Sequence, residues 1–264
     1  MLPISNPANL VIYGSRMPAL MQWLPRNLLP SVLSIVATYL ALRWTQRGAL
    51  RQEIAADVPV PRLSAGGKTA ALGIAATAAV LLGASALDIA LGLPTAIAGA
   101  VTAAAVLVRD RKSPWSTVKD ISWGVLPLVA GLFVLVEALD KTGLIGSISA
   151  LLRETARHST ASAAWGAGII VAVASNVMNN LPAGLIAGSA VQSAQVPDEV
   201  TSAILIGVDL GPNLSVTGSL ATILWLTALR REGQSVGFGP FLRLGLVVMP
   251  PALLLAIGAA VLFG

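Results

Sequence analysis

Three clusters of mostly uncharged polar residues interrupt stretches that are otherwise apolar. They are Ser5-Asn6-Pro7-Ala8-Asn9; the run from Ser175 to Pro182 with Asn176, Asn179 and Asn180; and Asp209-Leu210-Gly211-Pro212-Asn213 continuing into Thr217-Gly218-Ser219. Amide and hydroxyl side chains offer donors and acceptors without fixed charge. The Pro and Gly beside them stop a helix and free backbone N–H and C=O groups, which in hydrocarbon must be buried in protein or line a watery cavity. Such residues suit reversible hydrogen bonding of a small solute rather than the making of covalent bonds. One Pro or Gly alone in a membrane helix reads as a packing kink; three breaks centred on Asn point to a binding site built from discontinuous helices, whose N-termini and freed carbonyls face solute and coupling ion.

The elements that hold these breaks must lie in a membrane. The 264 residues are 55% hydrophobic and only 11% charged, and the mean hydropathy is +0.80, more apolar than a soluble core needs. Gly (25) and Pro (16) are abundant without the period of collagen, and transmembrane helices tolerate both. The fold class is therefore an all-α membrane protein, a polytopic helical bundle. With no Cys and one histidine, His158, thiolate and multi-histidine metal sites and a Ser-His catalyst are not expected, so neither a metal nor a cofactor is assigned. No basic groove with interleaved aromatics occurs, so nucleic acid is not an expected partner, and the net charge of +5 speaks first to topology. Met1 to Gly14 lacks an early Lys or Arg. It does not read as a targeting peptide but as the broken middle of a membrane helix without its first half.

A span needs about 20 apolar residues. Residues 8–24 form a short apolar segment carrying Arg16, which snorkels to an interface; residues 28–42 form the next, and a polar loop with Pro59 and Pro61 occupies 43–68. Residues 69–87 and 90–108 make two helices around Gly92 and Pro94, 109–120 is a charged interfacial piece, and 121–139 crosses. Asp88 and Glu137 fall near helix ends, facing headgroups or solvent. The charged and apolar mixture at 141–158 predicts a surface amphipathic helix. Residues 161–194 are free of charge but broken at the Asn cluster, which predicts a re-entrant hairpin; 203–229 is a broken helix and 241–263 the last span. Trp23, Trp44, Trp115, Trp123, Trp165 and Trp225 fall mostly at boundaries, as interfacial anchors do.

Basic residues accumulate on the cytoplasmic side of short loops. With the hairpin entering and leaving on one side, Arg43, Arg47, Arg51, Arg62, Lys68, Arg109, Arg111, Lys112, Lys119, Arg230, Arg231 and Arg243 lie inside, while Arg26, Lys141, Arg153 and Arg157 lie outside. A single full span over 161–194 would move Arg230 and Arg231 outside, so the charge count favours the hairpin and a multi-pass place in the cytoplasmic membrane. Asp209 is the carboxylate nearest the middle of a span, and an intramembrane ionisable group is a functional hypothesis by default. Two readings stand equally: a proton carrier, or a structural carboxylate capping a half-helix that starts near Asn213. A weak internal echo, Pro7-Ala8-Asn9-Leu10 against Pro212-Asn213-Leu214, fits an inverted repeat.

These residues resemble the arsenical-pump membrane permeases, exporters of arsenite and antimonite within the ion transporter superfamily. The resemblance rests on Leu2-Pro3-Ile4-Ser5-Asn6-Pro7-Ala8-Asn9-Leu10-Val11, on Ser175-Asn176-Val177-Met178-Asn179-Asn180-Leu181-Pro182, and above all on Gly207-Val208-Asp209-Leu210-Gly211-Pro212-Asn213 with Thr217-Gly218-Ser219-Leu220-Ala221-Thr222-Ile223-Leu224-Trp225. It covers essentially the whole chain and implies the later part of an inverted-repeat transporter. Residues 1–42 would be the broken helix and following span of the first repeat, 43–68 a cytoplasmic linker, and 69–264 the second repeat. It implies substrate contacts from Ser5, Asn6, Asn9, Asn176, Asn179, Asn180, Gly211, Asn213, Thr217 and Ser219, with Asp209 in proton coupling.

The function so implied is secondary export of arsenite or antimonite against protons. Arsenite near neutral pH is an uncharged trihydroxy species, which suits amides and hydroxyls better than arginines. Without a P-loop in the sequence, any coupling to ATP needs a separate soluble ATPase subunit. Besides protons and membrane lipid, the expected partners are the missing N-terminal repeat or a second copy, because a chain that begins at the first broken helix is expected to transport only when completed. The alternatives are a carboxylate or other anion carrier of the same superfamily, and a truncated, non-transporting half that needs a partner chain.

Overall fold

The computed structural model describes residues 6–14, 17–52, 62–87, 89–111, 113–120 and 123–264. Ser5, Arg16, Pro59, Pro61, Asp88 and Lys112, singled out above, lie outside the described residues. Among those described, no strand occurs; the order is α1 (Pro7–Tyr13), α2 (Leu20–Thr45), α3 (Ala65–Ala86), α4 (Gly92–Asp110), α5 (Pro114–Asp120), α6 (Val125–Lys141), α7 (Leu144–His158), α8 (Thr160–Met178), α9 (Asn180–Ala194), α10 (Asp198–Leu210), α11 (Leu220–Arg231) and α12 (Phe238–Phe263). Helices α2, α3, α4, α8 and α12 are long and apolar enough to cross a membrane. The protein is an all-α, multi-pass membrane protein.

One boundary differs from the sequence expectation. Residues 20–45 form a single helix through Pro25 and Pro30, where the apolar pattern suggested a division near residues 25–27. Instead, α1 ends at Tyr13, Gly14 turns to φ 57°, and α2 starts at Leu20. Proline removes one intrahelical bond but does not forbid a helix whose other bonds survive in an apolar setting.

The chain forms two compact units, one of Met1–Pro18, Gln22–Gln52 and Val129–Gly264, the other of Ala19–Met21 and Glu53–Leu128. In the second, α3 and α4 are antiparallel: a Cβ on Gly66 would strike Asp110, and one on Gly73 would strike Thr102. The Leu20 N–H donates to Ser85 Oγ at 3.0 Å.

In the first unit, the core joins α8, α10 and α12 through Ala164, Ala172, Ala203, Ile204, Ala256 and Ile257. Contacts fix the directions. A Cβ on Gly168 would lie 2.8 Å from Ala203 O, and the backbones of Gly207 and Gly211 abut Ala172, so α8 and α10 run parallel with almost no side chain between them. Close backbone approach through small residues is how membrane helices gain contact without a hydrophobic driving force. Helix α12 runs the other way, with Gly245 against Asn213 and Leu214 and Ile257 against Gly168. Helix α9 returns from α8 as the second arm of a hairpin and lies along α1, where Gly184 abuts Ala8 and Gly188 abuts Ile12.

The amphipathic helix α7 buries Ile145 and Ser149 and exposes Glu154, Arg157 and His158. Its Arg153 guanidinium donates to Ser193 O at 2.7 Å and Ala194 O at 3.2 Å. These are carbonyls at the C-terminus of α9, which a cation complements.

Candidate functional site

The charge-free stretch ends α8 at Met178 and begins α9 at Asn180, with Asn179 alone between them at φ 77° and ψ 152°. Asn179 serves both sides of this turn: its Oδ1 accepts from the Leu181 N–H at 3.3 Å, and its Nδ2 donates to Thr217 O at 3.1 Å. The other break follows α10. Gly211–Leu214 tighten into a 3-10 turn, Ser215 is extended, and α11 starts only at Leu220, where Ser219 Oγ accepts from the Thr222 N–H at 3.1 Å. Asn and Ser are preferred N-caps because they satisfy an orphan N–H of the first turn. The two breaks are pinned together by the Asn180 N–H, which donates to Gly218 O at 2.8 Å.

Two polar clusters result. In the first, Asp209 accepts from Asn6 Nδ2 at 2.9 Å and from Asn9 Nδ2 at 3.2 Å. Asn6 is also the N-cap of α1, accepting from the Ala8 N–H at 3.0 Å. This corrects one of the two readings of Asp209: no half-helix starts near Asn213 for it to cap, because the 3-10 turn intervenes and Ser219 caps α11. The carboxylate is instead bound across to α1.

In the second cluster, Asn176 is the hub. Its Nδ2 donates to Ala172 O and to Gly211 O, both at 2.8 Å, and its Oδ1 accepts from Ser215 Oγ at 2.9 Å. Thr217 Oγ1 donates to Asn176 O at 3.0 Å and lies 3.1 Å from Ser215 Oγ. Unpaired backbone carbonyls at a helix break are costly, and Asn176 with Thr217 satisfies them across the two breaks.

Of the residues expected at the site, Asn6, Asn9 and Asp209 thus meet at one point, and Asn176, Asn179, Thr217 and Gly211 at another. Ser219 takes a capping role, and Ser5 lies outside the described residues. Asn180 and the exposed Asn213 flank the second break, and neither side chain makes a hydrogen bond among the described residues. Gly211 is needed for packing as well, since any Cβ there would overlap Ala172. Ser215 was not singled out in the sequence; its place inside the third break was the signal, but a lone Ser in extended backbone looks like any loop residue. What the arrangement can do is bind through amides, hydroxyls and helix ends: α9 and α11 begin at the breaks and α8 and α10 end there, so N–H groups and carbonyls face one region.

The profile of the arsenical pump membrane proteins matches residues 5–263. The chain is similar to an arsenical pump membrane protein of Escherichia coli, 28% identical over 180 residues, which is 65% of this chain and 42% of that protein. It is similar to one from Yersinia enterocolitica at 27% identity over the same shares. An uncharacterized transporter of Mycobacterium tuberculosis is 30% identical over 145 residues, 52% of this chain and 34% of that protein. The matched region thus spans less than half the length of these curated relatives. No solved structure matches the chain. With apolar helices able to cross a membrane, paired helix breaks, and a profile match over nearly every residue, the chain belongs to the arsenical pump membrane protein family.

Proposed function

We propose that this chain supplies the solute-binding breaks of a transporter that moves arsenite or antimonite out across the cytoplasmic membrane in exchange for protons. The observation that carries the reading is the junction of the hairpin turn at Asn179 with the break at 211–219, held by Asn180 N–H to Gly218 O and by the Asn176 hub. No Lys or Arg hydrogen-bonds into either break among the described residues, which favours a neutral trihydroxy solute over an anion. Asn180 and Asn213 provide amides for its hydroxyls. Asp209 is the group that carries the exchanged proton, at the joint between α1 and α10. Any ATP-driven mode draws on a separate subunit.

Everted vesicles from efflux-deficient cells expressing the chain from its native gene provide the test. An inward-acid pH gradient should drive arsenite accumulation, and Asp209→Asn should abolish the dependence on the gradient while the protein stays in the membrane. Accumulation that ignores the gradient in the parent protein refutes proton exchange. Accumulation of a dicarboxylate in place of arsenite transfers the chain to the anion carriers.

A further inference from the structure

A cavity of about 670 Å³ lies at the opposite end of α1 from Asp209. Tyr13, Trp23, Asn27, Gln192, Thr201 and Ser202 line it, with Arg26 and Asp198 in its wall. At ~30 Å³ per water it has room for on the order of twenty molecules, far more than one small solute, so it is a watery chamber rather than a fitted pocket. Its lining is rich in amides, hydroxyls and aromatic rings with polar tips, and its one charged pair is internally neutralised: Arg26 Nη1 contacts Asp198 Oδ2. Trp23 Nε1 donates to Tyr13 Oη at 3.1 Å, tying α2 to the end of α1.

The chamber is close to the breaks. Tyr13 and Ile12 face it, while Asn9, one helical turn earlier and so ~6 Å along the axis, holds Asp209. Ile12 is 2% exposed and seals the short interval between them. We infer that this cavity is a vestibule that binds neutral polyhydroxy solute on the transport path, with the Arg26–Asp198 ion pair as its latch. The inference rests on the proposed solute class but adds a second binding place, a turn of helix away from the breaks. The latch suits reversible opening, because both side chains are more than half exposed (54% and 66%) and an exposed ion pair contributes little to stability.

The chain contains no Cys, so single thiols report directly. Ser202→Cys sits in the chamber wall, and Val200→Cys, fully buried and outside it, is the control. In membranes carrying the full chain, an impermeant cationic thiol reagent should label Ser202→Cys and not Val200→Cys, and adding Asp198→Asn should raise the labelling rate at least ~5-fold. Boric acid, a neutral trihydroxy solute that does not capture thiols, should slow labelling at millimolar concentration. Labelling of Ser202→Cys no faster than Val200→Cys with the latch intact or cut overturns the vestibule, and labelling that boric acid leaves unchanged overturns its role in binding. Neither readout requires arsenite to move, so failure of the vestibule and failure of the arsenite reading are told apart by the vesicle assay above.

Discussion

Asn6 and Asp209, 203 positions apart, are joined by a 2.9 Å hydrogen bond, and Asn9 reaches the other carboxylate oxygen at 3.2 Å. Asn6 is the N-cap of α1 and Asn9 lies in its first turn, three residues later. A single carboxylate therefore braces α1 against the end of α10, and both of its oxygens are held by amide donors.

Removing either amide should loosen this brace. Asn9→Ala and Asn6→Ala each leave the carboxylate short of one donor, which costs about 1–3 kcal/mol when the group is shielded from water. The purified protein in detergent should melt several degrees lower in each variant. Parent-like melting in both refutes the brace.

The two residues of the hairpin turn should separate in behaviour. Asn179 has a positive φ and caps α9, so Asn179→Ala loses a cap of about 1 kcal/mol and adds backbone strain, lowering abundance in the membrane. Asn180→Ala removes a side chain without a hydrogen-bond partner among the described residues, so abundance should hold while arsenite export falls. Quantitative membrane blots beside resistance assays check this, and equal loss of abundance in both variants contradicts it.

Gly168 tests the backbone contact between α8 and α10. Gly168→Val forces atoms against Ala203 O and the Ile257 side chain and should cost about 1–3 kcal/mol, as overpacking does. Gly166→Ala, with nothing within 4 Å of its Cβ, should be neutral or stabilising by about 0.5–1 kcal/mol. Thermal unfolding of the two variants should order them so, and the reverse order removes the contact as an argument.

Charge asymmetry predicts sidedness. Arg47→Cys and Arg231→Cys should be shielded from an impermeant thiol reagent in intact cells, and Lys141→Cys should react. If Arg47→Cys and Arg231→Cys label from opposite sides, the hairpin does not return to the face it entered.

Much of the framework was legible because polar residues in an apolar chain stand out. The Asn cluster at 176–180 marks the end of α8 and start of α9, and the Pro and Gly of 211–218 mark the gap before α11. The partner of Asp209 was not legible, since a bond across 203 positions leaves no periodic trace; the echo between Pro7-Ala8-Asn9 and Pro212-Asn213 suggested kinship of the segments, not contact. The start of α11 was misplaced toward Asn213 because Asn and Ser are both good caps, and only the extended Ser215 settles on Ser219. The division expected between 8–24 and 28–42 failed in the other direction, since α2 runs unbroken from Leu20 to Thr45 through Pro25 and Pro30.

The bare contact between α8 and α10 acts as a lever. Gly168 is eight residues before Asn176, ~12 Å along the helix, and α8 approaches α10 closely over that length through Gly168, Ala172, Gly207 and Gly211. A tilt of about 5° pivoting at Gly168 moves the Asn176 amide by on the order of 1 Å, enough to stretch its 2.8 Å bond to Gly211 O past hydrogen-bond range. The hydrogen bonds of the Asn176 hub are therefore sensitive to single methyl groups placed about two turns away along α8.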